Sequence, residues 1–143
     1  VLLESQADVN HQNAQKMCPV HYALQHEETE LLDLLIATEA DLDVQDSNGR
    51  TPLIFALASN DLESAQLLLD QRVDLELVDN GGNGVLHHLL QTKKLSVHFL
   101  RILARKGCDF HLANQEGVTP LHLLKKRQDV NVEELMQMLD LED

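Results

Sequence analysis

Large rings are nearly absent from this chain of 143 residues, which has three Phe, one Tyr and no Trp. Its core therefore has to be assembled from Leu, Val, Ile and Ala, a choice that suits thin helices packed side by side. Apolar residues still make up 43% of the chain, enough for a core at about one domain's length. Long apolar runs are also missing. The longest, Leu53 to Ala58, falls far short of the roughly 18 residues that a membrane span requires. No signal peptide is readable at the start. Val1 reads as the middle of a helix, so the sequence is expected to be a piece of a longer protein. Positive charge is scarce as well, 11 Lys and Arg against 24 Asp and Glu, for a net charge of −13. Residues 1–79 hold 16 acids and 3 bases, whereas residues 80–143 hold 8 of each. Direct nucleic-acid binding needs a basic stripe, and none is present. A basic partner approaching the N-terminal half would be steered towards it.

What the chain does contain is one phrase written four times. It reads Cys18-Pro19-Val20-His21-Tyr22-Ala23, Thr51-Pro52-Leu53-Ile54-Phe55-Ala56, Gly84-Val85-Leu86-His87-His88-Leu89 and Thr119-Pro120-Leu121-His122-Leu123-Leu124, at steps of 33, 33 and 35 residues. A second phrase keeps the same step: Ala7-Asp8-Val9-Asn10, Ala40-Asp41-Leu42-Asp43, Val73-Asp74-Leu75-Glu76 and Cys108-Asp109-Phe110-His111. This period with a T-P-L-H-x-A phrase resembles the ankyrin repeat, a turn followed by two helices. The resemblance implies an all-α solenoid of stacked helix pairs with β-hairpin or turn fingers, in one domain over residues 1–143. Residues 1–14 are expected to end a partial repeat, with full repeats over 15–47, 48–80, 81–114 and 115–143.

Residues 46–79 show why the phrase folds this way. Asp46-Ser47-Asn48-Gly49 is a turn signal in which Gly49 can take positive φ. Thr51 is placed to cap a helix and Pro52 fits its first position, where no N–H is needed. Leu53, Ala56 and Leu57 mark one face of a short first helix. Asn60-Asp61 breaks it, and Leu62, Ala65, Leu68 and Leu69 continue as a second. Neither helix exceeds about ten residues, so each depends on its neighbours. The other copies depart from this pattern. Lys16 occupies the turn-glycine position and Cys18 the cap position of the first full repeat, which demands either a strained residue or another turn shape. Gly84 replaces the cap Thr in the third repeat, and two extra residues around Lys93-Lys94 lengthen the link between its helices. The segment Gln128–Asn131 also looks extended. No polar-faced terminal cap is obvious at either end.

Eight histidines invite a metal reading. His21, His87 and His122 share one repeat position, however, where the resemblance implies structural hydrogen bonds between neighbouring turns. Neither C-x-x-C nor H-E-x-x-H occurs, so no metal and no cofactor is expected. Gly81-Gly82-Asn83-Gly84 lacks the Lys-Ser/Thr of a phosphate loop. The recurrent Asp8, Asp41, Asp74 and Asp109 read as loop caps and not as acid–base pairs, and no enzyme activity is expected. Cys18 and Cys108 fall in different repeats. Packed helices lie roughly 8–10 Å apart, beyond the about 7 Å Cα reach of a disulfide, so thiols in an intracellular compartment, cytoplasmic or nuclear, are expected. Leu2, Asp8, Val9 and Asn10 match the pattern that the resemblance associates with asparaginyl hydroxylation. Asn10 is either such a substrate or a loop tie.

The resemblance also implies where a partner sits: along the turn tips and the concave face of the first helices. At the tips, register selects Gln15 and Met17, then Ser47, Asn48 and Arg50, then Asn80 and Asn83, then Gln115 and Glu116. On the first-helix face it selects Gln25 and His26, then Ser59, then Gln91, Thr92 and Lys93, then Lys126 and Arg127. The expected function is a protein-interaction scaffold, monomeric as a fragment, binding a peptide or domain without inserting into a membrane. Acidic residues of that partner should meet Lys126 and Arg127. A regulatory domain docking on a linked enzyme and a homotypic assembly module are the alternatives. Intact mass after incubation with the hydroxylase tests the Asn10 reading, and an unchanged mass at Asn10 removes it.

Overall fold

The computed structural model describes residues 12–14 and 16–140. Among them are eight α-helices and no strand: α1 (Pro19–Gln25), α2 (Thr29–Ala37), α3 (Pro52–Ala58), α4 (Leu62–Leu69), α5 (Val85–Leu90), α6 (Val97–Arg105), α7 (Pro120–Lys125) and α8 (Val132–Met138). They form four pairs. The first helices stack in file, α1 on α3, α3 on α5 and α5 on α7, and α2 packs on α4 in the layer of second helices. Asn10 and Gln15 lie outside the described residues.

Local chemistry starts and stops these helices. The Thr51 hydroxyl accepts the Ile54 N–H and the Thr119 hydroxyl accepts the His122 N–H, in both cases with proline at the first helical position. Asp61, Ser96 and Asn131 cap α4, α6 and α8 in the same way. Between the helices Glu27 and Asn60 turn the chain in the left-handed region, at φ 55° and 57°. The core is the aliphatic one that the composition requires. Leu32, Leu35, Leu53, Ile54, Leu57, Leu68, Leu89, Leu100, Leu103 and Leu124 are fully buried, joined by Phe99 and Phe110.

The fingers are hydrogen-bonded turns, not strand pairs. In the second unit the Asp46 N–H donates to the Arg50 carbonyl, and the Asp46 carboxylate accepts the N–H groups of Asn48 and Arg50. Asp79 and Asn114 build the same turn in the third and fourth units. Gly49 sits at φ 78°, and a Cβ there would come within 2.7 Å of the Asn80 backbone nitrogen. Glycine is thus demanded twice, by conformation and by the next finger. The first unit keeps the turn shape and bears the strain, with Lys16 at φ 60° and its N–H bonded to the Asn13 carbonyl.

Neighbouring units are tied by polar side chains that reach backbone. The Nδ1 of His21 accepts the Cys18 N–H, so the ring proton sits on Nε2 and is donated to the Arg50 carbonyl at 3.0 Å. His87 repeats this, accepting from Gly84 and donating to Val118 at 3.0 Å. The imidazole thus closes its own helix start, as the Glu of a capping box does, and locks the following finger. Cys18 and Gly84, lacking a capping hydroxyl, are tolerated for this reason. Gln12 and Gln45 form a second ladder, each bridging its own turn to a carbonyl 33 residues on. At the fourth unit the bridging face turns outward. His122 and Lys125 are exposed, where His21, His87, Leu24, Leu57 and Leu90 are buried.

Burial lowers the pKa of His21, and protonating Nδ1 would set two N–H groups against each other. The unfolded chain then takes up the proton first, so stability falls as pH drops below the ordinary value of about 6.5. The melting temperature is expected to be lower at pH 5.5 than at pH 7.5, with a smaller difference in His21→Gln. In urea unfolding, His87→Ala should cost about 1–3 kcal/mol by orphaning the buried Gly84 N–H and the part-buried Val118 carbonyl, whereas His122→Ala should stay within about 0.5 kcal/mol. Lys16→Gly should stabilise by about 1 kcal/mol through relief of its left-handed backbone.

Candidate interaction surface

The finger tips are ordered by contacts between successive units. The Asn80 N–H donates to the Asn48 carbonyl and its side-chain amide to the Ser47 carbonyl. Gln115 bonds in the same manner to the carbonyls of Gly81 and Asn80, and the Asn114 amide donates to the Asn83 side chain. Six of the tip residues expected to meet a partner, Ser47, Asn48, Arg50, Asn80, Asn83 and Gln115, therefore also hold neighbouring units together. Ser47 and Glu116 keep exposed side chains, and Met17 and Arg50 are half-buried.

On the first-helix face, Gln25, His26, Ser59, Gln91, Lys93 and Lys126 are exposed as register predicts, and Thr92 is half-buried. Thr92 spends its hydroxyl on the Leu89 carbonyl. A row that register did not select runs beside them: Tyr22, Phe55, His88 and Leu123, the fifth position of the repeated phrase. Tyr22 is 48% exposed and its ring lies 4.3 Å from that of His26, while the other three are half-buried. Large apolar or aromatic residues at three of these four positions were the available signal. The phrase leaves that position variable, which hid it. The Nε2 of His88 meets the Asp79 carboxylate at 2.9 Å, joining the row to the third finger. Burial lowers the His88 pKa against the pull of that carboxylate. Burial pushes the Asp79 carboxyl up, but the Asn83 and Gly81 N–H groups and His88 outweigh it and hold it below its ordinary value. A neutral imidazole donating to a carboxylate satisfies both.

The long links between helices turn out to be one device. Residues 26–28 and 59–61 suffice in the first two units, whereas 91–96 and 126–131 connect the helices of the last two. Arg127 joins the latter pair. Its Nη1 donates to the carbonyls of Leu90 and Thr92 at 2.8 and 2.7 Å, and its Nη2 to that of Lys93 at 3.0 Å. Nε and Nη2 also hold Asp129 at 2.8 and 2.6 Å. All five guanidinium donors are thereby used. Asp129 in turn accepts the Leu95 N–H, and the bonds from Arg127 hold its carboxyl at about 2. The expectation that Arg127 offers its charge to a partner is corrected here: its side chain is only 9% exposed and its donors are spent on the loop. Lys93, Lys94 and Lys126 stay exposed around this latch.

No catalytic arrangement emerges from the described residues. A cavity of about 340 Å³ lined by Leu75, Gly84, Cys108, Leu112 and Pro120 contains the Cys108 thiol, but burial pushes that thiol up to about 11, so it is protonated and poorly nucleophilic at neutral pH. Cys18 and Cys108 are thiols, with no disulfide between them. No three His, Cys, Asp or Glu side chains among the described residues come together as a metal site. No helix among the described residues is long and apolar enough to cross a membrane.

Residues 1–79 match a family model of ankyrin repeats in three copies. No curated protein matches the chain in sequence. The third and fourth units lie beyond the matched residues, yet both continue the same finger turn, the third with the histidine bridge of His87 and the fourth with the threonine cap of Thr119. In urea unfolding, Arg127→Ala is expected to cost about 2–3 kcal/mol, since it leaves carbonyls and a carboxylate without their charged donor. Lys126→Ala should change stability by less than about 0.5 kcal/mol.

Proposed function

This chain belongs to the ankyrin-repeat family, and we propose that it is a protein-interaction scaffold whose partner, a peptide or a domain, lies along the finger tips and the first-helix face. Ankyrin repeats are generally protein-interaction modules, and the fold sets a row of side chains here that is exposed at Tyr22 and partly open to solvent at the other three positions. The observation that carries the reading is that row: Tyr22, Phe55, His88 and Leu123, in register across four units and flanked by exposed polar groups. Aromatic anchors in a polar surround are the composition of binding hot spots. Charge along the same edge is graded. The links between helices carry Glu27 and Glu28 in the first unit and Asp61 in the second, then Lys93 and Lys94 in the third. Lys126 adds a further cation in the fourth. A segment with basic residues towards the first unit and acidic residues towards the last fits this order, and the gradient fixes its direction. The latch supports the reading by pinning the backbone of Lys93 and so limiting the entropy lost on binding. Two thiols suit an intracellular location.

The test separates the lysines from the latch. Lys93→Glu combined with Lys126→Glu should leave the fold unchanged by circular dichroism and lower the amount of partner retained in a pull-down at least tenfold. Tyr22→Ala should weaken retention by a similar factor, because it removes an exposed anchor. Unchanged retention in both variants would argue against this face.

A further inference from the structure

The second-helix layer carries a separate pair of complementary surfaces. Helices α6 and α8 flank a cleft of about 250 Å³ lined by Arg101, Ala104, Arg105, Met138 and Leu139. Met138 is 41% exposed at its rim. Arg101 and Arg105 stand one helical turn apart and so face the same way. Neither has a carboxylate partner among the described residues, where Arg127 pairs with Asp129 and His88 bonds to Asp79. Asp140, close by in sequence, bonds its N–H to the Gln137 carbonyl and pairs with neither. Arg101 directs its Nε at the Met138 sulfur at 3.1 Å, a weak acceptor that leaves the rest of the guanidinium available. At the positions that match Arg101 and Arg105, the earlier units carry Asp33 and Ala37 in α2, and Gln66 in α4 with Asp70 just after it. Packing of the layer therefore does not require cations.

The opposite end of the layer has the reverse pattern. On α2, Glu30 and Asp33 are exposed and Leu34 is 48% exposed, within one turn of each other. Two acids and an apolar side chain on α2 answer the two arginines and the Ala104, Met138 and Leu139 side chains that line the cleft. We propose that the α2 face of one copy of this chain docks on the α6–α8 face of a second copy, with Leu34 in the cleft and Glu30 and Asp33 on Arg101 and Arg105. The contact is heterologous, head to tail, so it can propagate into short chains. It uses the layer opposite the first-helix face and leaves that face open. The net charge of −13 opposes the encounter at low salt, but at about 0.15 M repulsion beyond roughly 8 Å is screened while contact pairs persist. One helix face against one cleft makes a small interface, so the association is weak.

Sedimentation velocity of the chain at about 0.15 M salt, at concentrations up to about 1 mM, tests this. The chain should self-associate, and two variants should each weaken the apparent dimerisation constant at least tenfold: Glu30→Lys with Asp33→Lys, and Arg101→Glu with Arg105→Glu. Leu34→Ala should weaken it as well. Mixing the two charge variants pairs a variant α2 with a variant α6–α8 face, and also an intact α2 with an intact α6–α8 face. Opposite charges meet at both junctions, lysine on glutamate at one and acid on arginine at the other, so the mixture should associate again with the two variants alternating. Because all four charged residues are exposed, circular dichroism should show each variant folded, and Arg101→Gln with Arg105→Gln serves if the reversal does not fold. A wild-type chain that stays monomeric throughout the range would overturn the proposal. So would variants that associate as well as the wild type, or a mixture no more associated than its parts.

Discussion

The structure depends on one constraint: no unit can satisfy its own backbone. Helices of six to nine residues are too short to be stable in isolation, and each finger leaves carbonyls pointing at its neighbour. The next unit supplies the donors. His21 and His87 reach carbonyls 29 and 31 residues on, Gln12 and Gln45 reach 33 residues on, and Asn80 and Gln115 interlock the tips. Burial of Leu, Ile and Ala between helices provides the bulk of the stabilisation, but these bonds set the spacing and the register at which it occurs. A repeat array can vary its surface freely because this scaffold of side chain to backbone bonds does not depend on what the surface carries.

Arg127 shows how a departure from the repeat is absorbed. The insertion around Lys93-Lys94 would leave three carbonyls without partners at the end of α5. A second lengthened link, 35 residues further on in the next unit, brings one guanidinium to meet all three. Its charge is neutralised by Asp129, which in turn holds the Leu95 N–H. The basic appearance of this end in sequence is thus divided between a cation used inside the fold and lysines left outside it. Only the latter can act on a partner.

The charge asymmetry likewise resolves into two faces. Along the first-helix edge it is a gradient, from Glu27 and Glu28 to Lys93 and Lys126, beside an apolar row. In the second-helix layer it is a reversal between α2 and α6. These are independent surfaces, since the helix pairs stand between them. A scaffold that bound a partner on one face and another copy on the other would present several partners together, with an avidity gain set by geometry and not by new contacts.

Much of the fold was legible because its code is local and repeated. Thr51-Pro52 announces a helix start by cap and φ alone, Gly49 announces a left-handed turn, and a histidine at the third helical position recurs in step with both. Lys16 could be flagged as strained from its position, and the structure shows that the turn keeps its shape around it. The site was less legible. Tyr22, Phe55, His88 and Leu123 carry no shared residue type, and only their shared position on stacked helices makes them a row. Arg127 looked like any surface cation because its partners are backbone carbonyls 34 to 37 residues away, and a carbonyl has no letter in the sequence. The amino-acid sequence by itself determined the repeating unit, its caps and its turns, since these act within a few residues. Tertiary structure alone decided which polar groups the stack consumes and which it leaves to solvent, because that depends on what each unit's neighbour presents.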